Sequence, residues 1–454
     1  MNRSILFLFF VLISSYGYSQ KDSAYTLQQC ISYALQNQTN VKNAQVDYQS
    51  ALERVGEIRA IGLPQVSGAV SIVDNPKLKN FFYQNNPAGG IVPFDPTKSV
   101  GEVIARPNFF QLRSSADANA TVSQLLFDGS YVVAISSSST YKELAKKNIV
   151  QTKTQAVEGV TKAYYMVLIN QERLKLLDVN LSRLDSTLYQ TRAMNQAGLA
   201  EKIDVDRLEV SYNNLITEKL KSENMMEVSK LLLQFQMNMP LEQNISLADN
   251  LNSIKIDSVA PPMGAIDPAQ RIEYSILETQ KKLQTFDKKN INAGYIPRLT
   301  AFGTAGLFRQ DKSIGQLFVN KYYSYNMYGF NLSVPIFDGM SKHYKVQQAK
   351  LSIVKTENNI EQLKKSIDLQ GRQAHINYKN SLQTLTTQKR NMDLAAEVVR
   401  VTKIKYQAGI GSNLEVVNAE ASQKEAQTNY FSALYDAIVA KIDLQKASGT
   451  LYTE

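Results

Sequence analysis

Leu126-Phe127-Asp128-Gly129 returns as Ile336-Phe337-Asp338-Gly339, with 210 positions between Phe127 and Phe337. Gln196-Ala197-Gly198-Leu199 returns as Gln407-Ala408-Gly409-Ile410, with 211 positions between the two glycines. Ile203-Asp204-Val205 then matches Leu414-Glu415-Val416. Upstream, Leu63-Pro64-Gln65-Val66 has a counterpart in Ile296-Pro297-Arg298-Leu299, where the proline offset is 233 because a Gly/Pro/Asn-rich loop lies between Pro64 and Phe127. Motifs kept in one order at a near-constant offset are the signature of a tandem duplication. The expected repeats are 20–240 and 269–454, joined by a polar, proline-containing linker at 241–268.

Each repeat changes its period in the same order. Helical spacing from Thr26, a candidate N-cap, continues to about Ala60. From Pro64 the period falls to two: Val66, Gly68, Val70 and Ile72 alternate with Gln65, Ser67, Ala69 and Ser71. A second strand carries Ala116, Ala118, Ala120 and Val122 on one face. In the second repeat, which leaves its helical period at Pro297, one strand covers Leu299–Leu307 and another Tyr328–Ile336. Strands of about 9–12 residues cross a bilayer when tilted. Aromatics near their ends (Phe81, Phe82, Tyr83, Phe109, Phe110, Tyr322, Tyr323 and Tyr325) suit an interfacial girdle.

Between the strands and the glycine motifs lie long proline-free stretches. Val160, Val167, Leu174, Leu181 and Leu188 are spaced by seven, as are Tyr378, Leu385, Met392, Val399 and Tyr406. Sustained heptads specify helices packed lengthwise. About 68 residues at 1.5 Å each give roughly 100 Å of helix, longer than a globular core uses.

Composition excludes several chemistries. The chain has 454 residues, with 50 basic against 41 acidic side chains spread along it, so its charge of +9 reads as solvated surface and not as a nucleic-acid site. One cysteine, Cys30, rules out an intrachain disulfide framework and any Cys-rich metal site. Two histidines, His343 and His375, stand apart in the heptad helices. No catalytic constellation, cofactor loop or metal motif is present, which points away from an enzyme. Arg3 followed by the nine apolar residues Ile5–Ile13 and the small Gly17 and Ser19 reads as a signal peptide over 1–19, cut before Gln20.

Only helices and closed barrels satisfy their backbone hydrogen bonds inside a bilayer. Four strands cannot close a barrel, so strands in membrane require several chains to share one. The long inter-strand segments at about 74–114 and 309–323 are expected outside the cell, and the helices on the inner side. Asp128-Gly129 and Asp338-Gly339 mark the strand-to-helix junctions, with both aspartates as expected caps. Pro64 and Pro297 mark the helix-to-strand junctions.

With these motifs in place, the mature chain resembles the TolC family of outer-membrane efflux proteins over essentially its whole length. The most specific match is Tyr406-Gln407-Ala408-Gly409-Ile410 followed by Glu415-Val416, with Ala197-Gly198-Leu199 and Asp204-Val205 as its first-repeat counterpart. The resemblance implies an α+β membrane protein: a long α-helical coiled-coil barrel continued by a β-barrel shared among the subunits of a homotrimer, four strands per chain. It implies a passive exit duct in a tripartite efflux or type I secretion system, resting in outer-membrane lipid. The implied partners are a periplasmic adaptor (membrane fusion) protein and an inner-membrane RND or ABC transporter.

The resemblance also places the hairpin tips at Gly198, Leu199, Gly409 and Ile410 and assigns them to adaptor docking. By themselves, Gly198 and Gly409 read as helix C-caps of positive φ. Glu415, three residues after Ser412, reads as a capping box. The resemblance adds the alternative of an acidic constriction of the pore, weakened because Asn418 stands where a second acid is expected. The competing whole-chain readings are an exported coiled-coil structural protein and a helical pore-forming toxin. Both explain the heptads but not the paired alternating strands.

Overall fold

A computed structural model describes residues 24–88, 92–108, 110–251, 259–261, 264 and 266–452. The expected signal peptide, Phe109 and much of the expected linker lie outside the described residues. The chain divides into two compact units. One comprises the described residues within Met1–Ser50, Lys142–Lys281 and Lys355–Glu454, and the other comprises Ala51–Tyr141 and Lys282–Val354.

The elements run α1 (Leu27–Asn37), α2 (Thr39–Ala60), β1 (Gln65–Asp74), β2 (Asn80–Gln84), β3 (Val103–Pro107), β4 (Ser114–Phe127), α3 (Gly129–Gln196) and α4 (Lys202–Met237). A 3₁₀ turn at Pro268–Gln270 leads into α5 (Ile272–Ala293), β5 (Arg298–Asp311), α6 (Ile314–Leu317), β6 (Tyr323–Ser333), α7 (Ser341–Gln407) and α8 (Asn413–Ala447).

Thr26 caps α1 through a capping box with Gln29. The single helix expected from Thr26 to Ala60 is broken at Gln38, where ψ is 130°. The polar Asn37-Gln38-Thr39 run explains the break. The Asn37 amide bonds back to the Tyr33 carbonyl, and Asn238 donates to the Asn37 carbonyl at 3.0 Å.

In the helical unit half of the heptad positions are buried, and Leu174, Leu181, Leu385, Met392 and Tyr406 are half-buried. Val160, Val167 and Leu188 of α3 are at most 3% exposed, and Tyr378 of α7 is 1% exposed. Cys30 and Ala34 of α1 pack with Val160, Tyr164 and Val167 of α3 and with Leu233 and Met237 of α4. Leu177, Leu184 and Leu188 of α3 pack with Leu208 and Leu215 of α4. Phe431, Leu434 and Ile438 of α8 pack on Ile169. Each fully buried large apolar side chain contributes about 1.5–3 kcal/mol, so these seams are the main stabilisation of the unit. The chain start is tied in by polar bonds. Asp249 accepts from the Leu27 N–H at 3.1 Å and from the Tyr164 hydroxyl at 2.7 Å, and Tyr25 bridges to Leu247. Burial, aided by the Asp249 charge, pushes the Cys30 thiol up to about 12, which keeps it inert.

In the sheet unit, β1, β4, β5 and β6 form an antiparallel sheet in the order β1-β4-β5-β6. The strand expected to reach Ile336 ends at Ser333, because Pro335 has no N–H to give a ladder. The β1–β4 connection contains a separate hairpin, β2–β3, which holds Phe81, Phe82 and Tyr83. Those three aromatics therefore belong to the loop and not to a girdle on the main strands. Its organiser is Asn85, 0% exposed, whose side chain donates to the Asp95 and Lys98 carbonyls and accepts from the Asp95 N–H.

Candidate functional site

The main sheet has two unlike faces. Register places Ser67, Thr121, Thr304 and Met327 in one row, with Ser71 and Asp117 above and Thr300 and Asn331 below. Thr121 and Thr304 share a hydrogen bond of 2.9 Å, and the Tyr325 hydroxyl donates to Asp117 at 2.9 Å. The opposite face carries Val66, Val122, Gly303 and Tyr328 in one row, with Ala301–Phe330 and Leu299–Leu332 as neighbouring pairs. That face is bare. Val70 is 78%, Tyr328 90%, Phe330 74% and Leu332 60% exposed. An uncovered apolar sheet of this extent is not stable against water and marks a lipid-facing surface. No described helix is long and apolar enough to cross a membrane.

The junctions at the helical end of the sheet are capped. Asp128 accepts from the Ser130 and Tyr131 N–H groups at 2.7 and 3.2 Å, and Asp338 accepts from the Lys342 N–H at 3.0 Å. Gly129 fits tightly: a Cβ there would lie 3.2 Å from the Ala293 carbonyl oxygen and from the Ile296 side chain. Gly339, with φ +65°, has nothing within 4 Å of the same point. Pro64 and Pro297 immediately precede β1 and β5.

The two helix-to-helix turns are built alike. Gly198 and Gly409 both have φ +75°. Leu199 N–H reaches the Met194 carbonyl at 2.8 Å, and Ile410 N–H reaches the Lys405 carbonyl at 3.0 Å, the six-to-one bond of a Schellman cap. Leu199 and Ile410, which follow the glycines, are 75% and 78% exposed. Glu415 and Asn418 are both exposed on the first turns of α8. The Ser412 hydroxyl accepts the Glu415 N–H at 3.2 Å, which is half of the expected capping box; the Glu415 carboxylate makes no return bond to the Ser412 N–H.

Sequence reasoning missed two features beside the turns. Asn413, 3% exposed, donates its amide to the Asp204 carbonyl at 2.8 Å and so ties one turn to the other. Its only sequence signal is an Asn at the first position of a helix, which is unremarkable. Behind the turns, α3, α4, α7 and α8 enclose a cavity of about 580 Å³, walled in part by Leu184, Leu215 and Val399, with Lys403 and Glu420 paired at 2.6 Å.

The profile of the outer membrane efflux protein family matches residues 30–215 and 290–450. The chain belongs to this family. It is therefore an outer-membrane protein with a periplasmic extension, a non-enzymatic exit duct for efflux or type I secretion. Family relatives include outer membrane protein TolC of Escherichia coli (strain K12), 20% identical over 461 residues, spanning 97% of this chain and 85% of the relative. TolC of Vibrio cholerae is 22% identical, with 74% of this chain and 76% of the relative covered. The alkaline protease secretion protein AprF of Pseudomonas aeruginosa is 20% identical over 64% of this chain and 61% of its own. Among solved structures, CusC superposes with a TM-score of 0.72 at 16% identity, covering 94% of this chain and 92% of CusC. The outer-membrane channel OprN gives 0.70 at 17% identity, covering 93% and 90%. These likenesses agree with the α+β channel fold of the family.

Proposed function

We propose that three copies of this chain close one twelve-stranded barrel and that the two hairpin tips receive a periplasmic adaptor coupled to an inner-membrane transporter of the RND or ABC class. The observation that carries the first half is the four-stranded sheet itself. It has one polar face and one bare apolar face, and its edge strands β1 and β6 each have a single neighbour. Four strands are half of the smallest bacterial barrel, so the free edges need further copies.

The duplication supplies the register. Within the chain, the second strand of the first repeat pairs with the first strand of the second, Gln124 opposite Ala301. Carried over by the repeat offsets, Val334 of one copy stands opposite Gly68 of the next, Leu332 opposite Val70 and Asn331 opposite Ser71. That register keeps apolar side chains on the lipid face and polar ones on the lumen face without a slip. The same offsets map the Gly129 contact with Ala293 and Ile296 onto Gly339 against Ala60 and Leu63 of the neighbour. The empty space at Gly339 agrees with a partner supplied by a second copy.

Docking at the tips is supported by Leu199 and Ile410, large apolar side chains held out in water by matching turns. Glu415 and Asn418, exposed beside the second tip, are the candidate constriction. Electron microscopy of the detergent-extracted protein tests the ring, and threefold particles are expected. Leu199→Asp with Ile410→Asp tests docking: such rings should form normally yet fail to support export. Monomeric particles overturn the barrel, and full export by the double variant overturns the docking assignment.

A further inference from the structure

The two ends of the sheet differ in how their charges are used. At the loop end, Arg113 is paired with Asp74 at 3.1 Å and Arg309 with Asp311. At the helical end, residues 51–62, 128–141, 282–298 and 338–350 carry nine lysines and arginines against five acids. Some of these pair: Arg298 lies 3.5 Å from Asp128 and Lys342 3.1 Å from Asp338. Arg59, Lys288, Lys289 and Lys345 have no carboxylate partner among the described residues.

These four cations lie at one level. Arg59 is one residue from the end of α2, Lys289 four from the end of α5, and Lys345 four into α7. Lys288 is the deepest, five residues from the end of α5, and at 1.5 Å per residue all four fall within about 8 Å of the helix ends, where the apolar strand face stops. A bilayer headgroup layer is roughly 5–8 Å thick on each side, and lysine and arginine side chains extend into it. Aromatic groups mark the same level. Lys342 sits 5.3 Å over the Tyr295 ring, Lys289 lies 5.3 Å over Phe286, and Tyr344 is 62% exposed. Tyrosine with lysine is the composition of a membrane–water boundary.

We propose that this collar binds anionic glycerophospholipid of the periplasmic leaflet, with Arg59, Lys288, Lys289 and Lys345 taking the headgroup phosphates and Tyr295 and Tyr344 lying at the glycerol level. The assignment rests on the sheet lying in the membrane and adds to it a lipid class and the residues that select it. Phosphatidylglycerol fits, because its headgroup leaves the phosphate charge uncompensated, whereas choline or ethanolamine neutralises it. A surface cation adds about fivefold to affinity for such a lipid, an effect screened by salt.

The test uses the full-length protein in nanodiscs of equimolar phosphatidylglycerol and phosphatidylcholine, followed by a detergent wash and mass spectrometry of retained lipid. Phosphatidylglycerol should be retained in excess. Lys288→Gln, Lys289→Gln and Lys345→Gln should each lower the excess by about fivefold, and the corresponding arginine variants should keep it. Inorganic phosphate in the wash should not displace the lipid. Equal retention of both lipids, an unchanged excess in the combined glutamine variant, or displacement by inorganic phosphate overturns the lipid site while leaving the duct intact. Failure of the native protein to enter the bilayer overturns both.

Discussion

A methyl group added to Gly371 would lie 1.7 Å from Cδ1 of Ile266 and 3.2 Å from its Cγ1. The absent side chain in α7 is the notch through which the segment leading to α5 crosses that helix. Beside it, Arg271, 6% exposed, donates to the Ala447 carbonyl at 3.3 Å and pairs with Glu273 at 3.1 Å. Gly371→Ala should therefore cost roughly 1–3 kcal/mol by overpacking. Ile266→Ala in the same chain should recover much of that loss, since the cavity accepts the new methyl. A double-mutant cycle on thermal unfolding reads the coupling. Strict additivity would mean that the crossing is not close.

The caps at the two tips give a different prediction. Nothing lies within 4 Å of a Cβ built on Gly198 or Gly409, so replacement there is opposed by φ alone. Alanine at either position should cost about 1–2 kcal/mol, and asparagine, which tolerates the left-handed region, clearly less. Hydrogen exchange of the Leu199 and Ile410 amides would report the change locally. Equal protection in the alanine and asparagine variants would contradict a conformational origin.

Much of this arrangement was legible in the sequence, for identifiable reasons. β1, β4 and β5 carry apolar side chains on one face and polar ones on the other, so Val66–Ile72 and Leu299–Leu307 alternate cleanly. The tips announce themselves because few residues other than glycine adopt φ +75° without strain. The β2–β3 hairpin left no such trace, since one buried amide, Asn85, organises it and no side-chain period results. At β6 the alternation through Val334 and Ile336 outlasts the ladder, and only the missing N–H of Pro335 ends it. Asn413 was illegible because its partner is a backbone carbonyl 209 residues earlier in the chain.

Acid should weaken the helical unit in a definite window. Burial would raise the Glu158 carboxyl, but hydrogen bonds from Lys162 and Lys446, each 2.8 Å away, outweigh it and hold the group below its usual 4.5. A carboxyl lowered on folding adds stability that is fully present above 4.5 and is lost as pH falls through the lowered value. Thermal melts followed by helical circular dichroism should fall below about pH 4.5 in the native protein. Glu158→Gln should lower stability at neutral pH by about 1–3 kcal/mol and flatten that acid limb. An unchanged limb would assign acid sensitivity to other carboxylates.

The barrel register can be tested covalently. Val70 and Leu332 lie on the two edge strands of one chain, but Val70 shares its row with Ala118, Leu307 and Ser324 while Leu332 lies eight residues further along β6, so the two are about 30 Å apart within a sheet. Opposite one another across a subunit boundary, their Cβ atoms would stand about 4.5–5.5 Å apart, within adjustment of disulfide geometry. The native thiol, Cys30, is buried and adds no background. Val70→Cys with Leu332→Cys should thus form, in the oxidising envelope, covalent dimers and trimers that reducing agent releases on denaturing gels. Ser71→Cys with Leu332→Cys places the two thiols on opposite faces and should give monomers. A slip of one residue would invert the two results, because every side chain then changes face. Monomers in both variants would mean that β1 and β6 do not meet in this register.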